Sequence, residues 1–177
     1  MGKVKSRGTI TKYLLSASPD TQMELLSYRS MLATTGIITQ DTLAQLQRSS
    51  DDRVRLAATL FALTARGNTD DACPYIIAIY NAAAGPDRYI IRELTDNHCP
   101  LQDALPGLQR DLPVADADTV CELARAMYSA EFCDPQLAPV LEQVVRLRDN
   151  DAIACIHDLL LQANPHFDPG MLSAQPE

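Results

Sequence analysis

Apolar residues recur at intervals of three and four positions along most of this chain, the spacing that places them on one face of an α-helix. The pattern begins after Pro19, where Leu25, Leu26 and Leu32 follow one another at this spacing, and it continues to Ala163. Short segments rich in Gly, Pro, Asp and Asn interrupt it. The sequence therefore predicts an all-α protein.

Capping and turn residues divide the pattern into pairs of helices. Gly36 is predicted to end the first helix, and Thr39 to cap the second. Ser50 or Asp51 is predicted to cap the third helix, which runs to Gly67. The first pair, 19–48, lacks the proline described next and is interpreted as an atypical terminal repeat.

Proline and aspartate recur with a period near 33 residues. Pro74, Pro106 and Pro139 stand in similar contexts at spacings of 32 and 33 residues. Four aspartates that precede apolar patterns are spaced at 35, 31 and 33 residues; they are Asp52, Asp87, Asp118 and Asp151. A fixed period of this length indicates one helical unit used several times. The register also predicts a short helix with Pro106 in its first turn. Without the register, the residues around Pro106 resemble a loop.

Residues 52–63 carry the clearest copy of the unit. They read Asp-Arg-Val-Arg-Leu-Ala-Ala-Thr-Leu-Phe-Ala-Leu, and Gly67 and Ala72-Cys73-Pro74 follow. The segment resembles a HEAT-like repeat of the phycobilisome-lyase type, which has an Asp, a Val-Arg pair, paired alanines and an Ala-x-Pro helix. The resemblance extends over about 50–163 and weakens in later copies, where Cys121 and Ala154 replace the arginine.

The resemblance implies a right-handed α-solenoid of about four HEAT-like helix pairs plus a final helix. The predicted organisation is a basic arm over 1–18, one repeat domain over 19–163 and a flexible tail over 164–177. Whether the tail fills the groove of the repeats, with Phe167, Met171 and Leu172 as anchors, is left open by the sequence.

Charge is distributed unevenly. The net charge is −8, yet Lys3, Lys5, Arg7 and Lys12 precede the first acidic residue, Asp20. The arm is expected to be flexible, and the acidic remainder excludes a general nucleic-acid binder, because phosphate contacts require clustered cations. A neutral or basic protein partner is predicted.

The cysteines and histidines suggest no catalytic or metal centre. Five cysteines without a CxxC pair, in a chain with no apparent signal peptide, are interpreted mainly as reduced core thiols. Zinc binding and redox chemistry are the minor alternatives. His98, His157 and His166 are assigned structural or incidental roles, so no cofactor and no metal are predicted.

Binding residues follow from the architecture that the resemblance implies. Second helices line the groove in such repeats, which gives a candidate partner-binding set of Asn81, Arg110, Glu142 and Arg146. The alternative is that these are solvated surface residues. Arg55 is expected to pair with Asp52 or Asp87 in a ladder of ion pairs between repeats, together with Asp118 and Asp151.

The predicted function is protein recognition by a small cytoplasmic adaptor or inhibitor, in one version an acidic inhibitor of a basic toxin or nuclease. It is not expected to be an enzyme. One alternative is a peripheral membrane protein or a host-delivered effector, anchored through a modified Gly2 and the basic arm, because Met1-Gly2-Lys3-Val4-Lys5-Ser6 matches an N-myristoylation pattern. A second alternative, from the resemblance alone, is a lyase acting on a chromophore or small ligand.

Overall fold

The computed structural model describes residues 2–129, 137–146, 150–163, 166 and 168, with side chains from residue 8 onward except at 125, 126, 128, 129, 162 and 163. This part of the chain is helical and contains no strand. Its α-helices are α1 (Gly2–Ser16), α2 (Pro19–Ser27), α3 (Arg29–Leu32), α4 (Gln40–Leu46), α5 (Asp52–Arg66), α6 (Ala72–Ala82), α7 (Arg88–Asp96), α8 (Leu105–Asp111), α9 (Ala117–Ser129), α10 (Ala138–Arg146) and α11 (Asn150–Ala163).

The chain divides into two compact units, and the boundary lies between Ile79 and Tyr80, within α6. The predicted limits at 18 and 163 stay a prediction. In the first unit, α5 packs against α2, α3 and α4, and α1 packs against α2 and α4. In the second unit, α9 packs against α7 and α11, and α10 packs against α11.

The arm before Pro19 forms helix α1. The prediction of a flexible arm is therefore wrong where its side chains are described, from residue 8 onward. Leu14 is fully buried, and Gln22 Nε2 donates a hydrogen bond of 2.9 Å to its carbonyl oxygen. Thr42 Oγ1 donates to Thr11 Oγ1 at 3.4 Å. One buried leucine and these polar contacts hold α1 against α2 and α4.

Capping residues begin and end the helices of the first unit much as the sequence predicts. Thr39 caps α4 by accepting from the Thr42 amide, and Asp51 caps α5 by accepting from the Arg53 and Val54 amides. Gly36 and Gly67 follow their helices with φ of 61° and 73°. Glycine suits both positions because left-handed backbone costs it nothing sterically.

The three register prolines all lie in the first turn of a helix. Pro74 is the third residue of α6, Pro106 the second of α8 and Pro139 the second of α10. A first-turn residue has no intrahelical acceptor for its amide, so proline is tolerated there. The predicted short helix at Pro106 is confirmed, after a 3₁₀ turn at Leu101–Ala104.

The prediction of reduced thiols is wrong for the described cysteines. Cys121 on α9 and Cys155 on α11 form a disulfide across a Cα–Cα distance of 5.0 Å. Cys73 and Cys99 are also disulfide-bonded. The two residues face each other where α9 packs against α11, and their 34-residue separation is close to the predicted repeat period. Cys133 lies outside the described residues.

No helix within the described ranges is both long enough and apolar enough to cross a membrane. The predicted tail over 164–177 falls outside the described residues except at 166 and 168.

Candidate functional site

A hydrogen-bonded network joins the end of α6 to α8 in the second unit. Asn81 Nδ2 donates to the Asp103 carbonyl oxygen at 2.9 Å, and Asn81 Oδ1 accepts from the Gly107 amide at 3.0 Å. One side-chain amide thus satisfies a carbonyl and an amide of the segment that begins α8. These backbone groups lie at a helix start, where amides lack intrahelical partners.

Arg110 completes the same network from the other direction. Its NH1 donates to the Asn81 carbonyl oxygen at 3.1 Å, and its NH2 donates to the Tyr80 carbonyl oxygen at 3.0 Å. Carbonyls in the last turn of a helix have no intrahelical donor, so the guanidinium supplies the missing donors of α6. Its carbon also lies 5.4 Å from the centroid of the Tyr80 ring, within the range of a cation–π contact.

Asp111 is the anionic member of the network and is fully buried. Its carboxylate accepts from Arg110 Nε at 2.5 Å and from NH2 at 2.8 Å. Hydrogen bonding to this carboxylate raises the pKa of Arg110 above its ordinary value. Burial, and then the charge of Asp111, raise the pKa of Tyr80.

Gly107 permits the close approach of the two helices. A Cβ at this position would lie 2.5 Å from Cε1 of the Tyr80 ring and 3.1 Å from Asn81 Oδ1. Real Cβ contacts are never this short, so any other residue would push the Tyr80 ring or α8 aside. The glycine is needed here for space.

Two of the four predicted partner-binding residues meet in this network. Asn81 and Arg110 direct their polar groups at the chain's own backbone and at Asp111, so these groups fasten α8 to α6. Glu142 and Arg146 lie on α10, the first half-buried and the second exposed. Partner binding by the four residues stays a prediction, and the internal contacts of Asn81 and Arg110 depend on residues that are distant in the sequence.

Arginines at the starts of helices connect neighbouring elements, although in a different way from the predicted ladder. Arg55 pairs with Asp52 of its own helix and donates to the Ser49 carbonyl oxygen at 3.1 Å. Arg53 instead reaches from α5 to Asp20 of α2 at 3.2 Å, while also pairing with Asp51 at 2.8 Å. This pairing is the main reason that the pKa of Asp51 is lowered.

The second unit has an equivalent connection. Arg88 at the start of α7 contacts Asp116 at 2.6 Å and Asp118 at 3.2 Å, at the start of α9. Asp116, rather than Asp118, accepts a hydrogen bond of 3.0 Å from the Thr119 amide in the first turn of α9. Hydrogen bonds from Thr119, and then from Arg88, lower the pKa of Asp116 to about 2.

The remaining predicted ladder residues lie at helix starts. Asp87 caps α7 by accepting from the amides of Tyr89 and Ile90, and Asp151 is the second residue of α11. Carboxylates at these positions interact favourably with the positive end of the helix dipole. Gly2, the predicted lipidation site, is the first residue of α1, and its modification stays a prediction.

The surfaces of the two units differ in charge and in apolar exposure. Residues 1–79 carry nine basic and seven acidic side chains, a net +2, whereas residues 80–177 carry six and sixteen, a net −10. Large exposed apolar side chains are concentrated in the first unit: Ile10, Tyr13, Tyr28, Met31 and Tyr75. Among the described residues of the second unit, only Val114 belongs to this class.

Among the residues with described side chains, no three His, Cys, Asp or Glu groups cluster as a metal site requires. His157 Nδ1 lies 2.9 Å from Asp158 Oδ1 on an exposed part of α11. His98 follows α7 with φ of 51°. The predicted absence of a metal, a cofactor and an enzymatic activity stays a prediction.

A scan against family models and searches of curated proteins and of solved structures give no match to this chain. The HEAT-like resemblance therefore stays a prediction from the sequence.

Proposed function

We propose that the chain is a protein-interaction module whose acidic second unit attracts a neutral or basic protein, as an adaptor or an inhibitor would. The observation that carries the proposal is the net −10 of residues 80–177 beside a net +2 in residues 1–79. A concentrated charge of one sign accelerates the approach of an oppositely charged partner. It also selects against acidic partners by repulsion.

The binding surface in this proposal is the exposed acidic surface of the second unit, rather than the four second-helix residues predicted from the sequence. Asp96 and Asp103 are exposed on the second unit, whereas the side chains of Asn81 and Arg110 are occupied by internal contacts. Glu142 and Arg146 stay candidates because α10 is a second helix in the predicted register. An acidic inhibitor of a basic toxin or nuclease is one version of this function.

The proposal includes the finer architecture predicted from the sequence, a right-handed α-solenoid of HEAT-like pairs. What supports it is the packing of first helices on first helices within each unit: α2 on α5, and α7 and α11 on α9. The first-turn prolines of α6, α8 and α10 support the same register.

The disulfides bear on the predicted cytoplasmic location. Structural disulfides are typical of oxidising compartments and rare in the cytosol of most organisms. Four disulfide-bonded cysteines favour an oxidising location for this chain, so we propose that location in preference to the cytoplasm.

The test uses a partner isolated by capture from native lysate, and measures its association rate with purified full chain. The rate should fall with rising salt, because screening weakens attraction between exposed charges. Asp96→Lys with Asp103→Lys should slow association more than Asp41→Lys with Asp70→Lys, which changes the charge of the first unit equally. Association that ignores salt, or equal effects of the two variants, would refute the proposal.

A further inference from the structure

Helix α1 has one face packed on the protein and another exposed to solvent. Leu14 is fully buried. Thr11 lies three positions before it and Leu15 one position after it, and both are half-buried. With 3.6 residues per turn, these positions share one side of the helix. Lys12 and Ser16 lie on the opposite side, and both are exposed.

The exposed face combines positive charge with aromatic surface. Tyr13 is 58% exposed and Ile10 is 37% exposed. All three lysines of the chain, Lys3, Lys5 and Lys12, fall within α1 together with Arg7, and no acidic residue precedes Asp20. The sequence of α1 therefore has four cationic residues and no acidic one, and Lys12 is the cation whose exposure the structure describes.

Few acidic groups on the neighbouring helices oppose this charge. Asp20 is paired with Arg53 at 3.2 Å, and the other exposed acids of α2 and α4 are Glu24 and Asp41. The net charge of −8 does not decide the behaviour of α1, because the Debye length is about 8 Å at physiological ionic strength. Charges close to the surface that α1 meets determine whether it binds.

From this arrangement we infer that the exposed face of α1 docks on an anionic phospholipid bilayer. Lysines on a surface helix are attracted to anionic headgroups, and tyrosine places its ring at the level of those headgroups. An acidic protein is the less suitable partner, because protein interfaces are enriched in arginine and depleted in lysine. Here the cations of α1 are mostly lysines, whereas every basic residue after Lys12 is arginine.

This inference is independent of the proposed function, since it concerns α1 and not the acidic second unit. It requires no acylation of Gly2 and no membrane-spanning helix. An acyl chain at Gly2 would strengthen the same contact, because one chain plus a basic patch gives stable anchoring where one chain alone does not.

The experiment is co-sedimentation of unacylated full chain with vesicles of phosphatidylcholine, either alone or mixed with phosphatidylserine. Binding is expected only to the mixed vesicles and should weaken as salt rises. Lys12→Gln should weaken it about fivefold, the contribution of one lysine near an anionic surface. Tyr13→Ala should weaken it without changing the charge.

Arg146→Gln is the matched control, because it removes one charge from an exposed position of the second unit and should leave vesicle binding unchanged. Circular dichroism of each variant checks that the helices are intact. The inference fails if mixed vesicles are not bound, if neutral vesicles are bound equally, or if Arg146→Gln weakens binding as much as Lys12→Gln. Binding of α1 to polyglutamate in the absence of vesicle binding would assign the face to an acidic protein instead.

Discussion

The two units of this protein are both helical in their described residues but present different surfaces to solvent. The first has a net charge of +2 and exposes tyrosines and a methionine, whereas the second has a net charge of −10 and, in its described part, exposes mainly polar side chains. Packing requirements set the buried faces and leave the outer faces free to diverge. The difference is therefore the best guide to function in a chain whose helices are otherwise alike.

The units also differ in how their helices are fastened. In the first unit, Arg53 links α5 to α2 by ion pairs at the surface. In the second, a disulfide joins α9 to α11, and a partly buried network around Arg110 joins α8 to α6. Breaking a surface ion pair costs little stability, whereas removing one partner of a buried pair or opening a disulfide costs much more. We expect substitutions of these links to have larger effects in the second unit.

Arg110→Met should have the largest effect. It leaves the fully buried Asp111 carboxylate without its cation, and breaking one side of a buried pair costs about 3–5 kcal/mol. Urea unfolding measures the loss, and Arg110→Leu with Asp111→Leu should recover most of it. Arg66→Met, at an exposed arginine of α5, is the control in the first unit. Similar losses for Arg110→Met and Arg66→Met would contradict the contrast between the units.

Removing the disulfide between α9 and α11 should have a comparable effect. Cys121→Ser with Cys155→Ser opens a link across 34 residues, which corresponds to about 4 kcal/mol from the entropy of the unfolded chain. Hydrogen exchange should accelerate in α9 and α11 and remain unchanged in α2 and α5. Alkylation of unfolded, unreduced protein at all five cysteines would show that the disulfides do not form.

Gly107→Ala should destabilise the second unit by about 1–3 kcal/mol, the usual cost of overpacking. The added methyl group would overlap the Tyr80 ring. Gly85→Ala is the matched control, because a Cβ there meets nothing within 4 Å. Thermal or urea unfolding of the two variants should separate them clearly, and equal midpoints would mean that α8 moves away from α6 without cost.

Among the described residues, the same helix ending occurs after α5 in the first unit and after α7 in the second, with different residues. The Asn68 and Cys99 amides donate to Leu63 and Leu94 at 3.0 and 3.1 Å, after Gly67 with φ of 73° and His98 with φ of 51°.

Left-handed backbone is unfavourable for residues with a Cβ by about 1–2 kcal/mol. Gly67→Ala should therefore destabilise the first unit by about 1 kcal/mol, and His98→Gly should stabilise the second by somewhat less, because glycine increases unfolded-chain entropy. Urea unfolding tests both. A destabilising His98→Gly would indicate that the imidazole makes a contact worth more than the backbone strain.

The smallest expected effect concerns acid. The pKa of Asp116 is lowered to about 2 in the folded protein from an ordinary 3.8, so the folded state favours the charged form. Its contribution to stability is complete above about pH 4 and is lost as the pH falls toward about 2. Asp116→Asn keeps the cap and removes this titration, and because the group is exposed the difference should stay below about 1 kcal/mol.

Urea unfolding at a series of pH values checks the prediction for Asp116. The stabilities of wild type and Asp116→Asn should differ at neutral pH and converge in strong acid. A constant difference at every pH would mean that Arg88 and Thr119 do not hold the Asp116 carboxylate in its charged form.

Local chemistry was readable from the sequence. The helix order, the caps Thr39 and Asp51 and the glycine endings follow from residues within a turn of each other, whereas the short helix at Pro106 follows from its register with Pro74 and Pro139. These interactions are decided by backbone dihedrals and by nearby hydrogen bonds, so no knowledge of distant residues is needed. Ile10 and Leu14, one turn apart, were the available sign that the arm is a helix.

Tertiary structure decided which distant groups meet. Cys121 and Cys155 pair because the packing of α9 against α11 brings them to a Cα–Cα distance of 5.0 Å, which an odd cysteine count cannot reveal. Arg110 is predicted to bind a partner, but its guanidinium makes contacts within the fold because Tyr80, Asn81 and Asp111 surround it. The sequence by itself determined where helices begin, end and bury a face. Only the packing of those helices determined whether a polar side chain serves a partner or the fold, because that depends on neighbours contributed from 29 or 30 residues away.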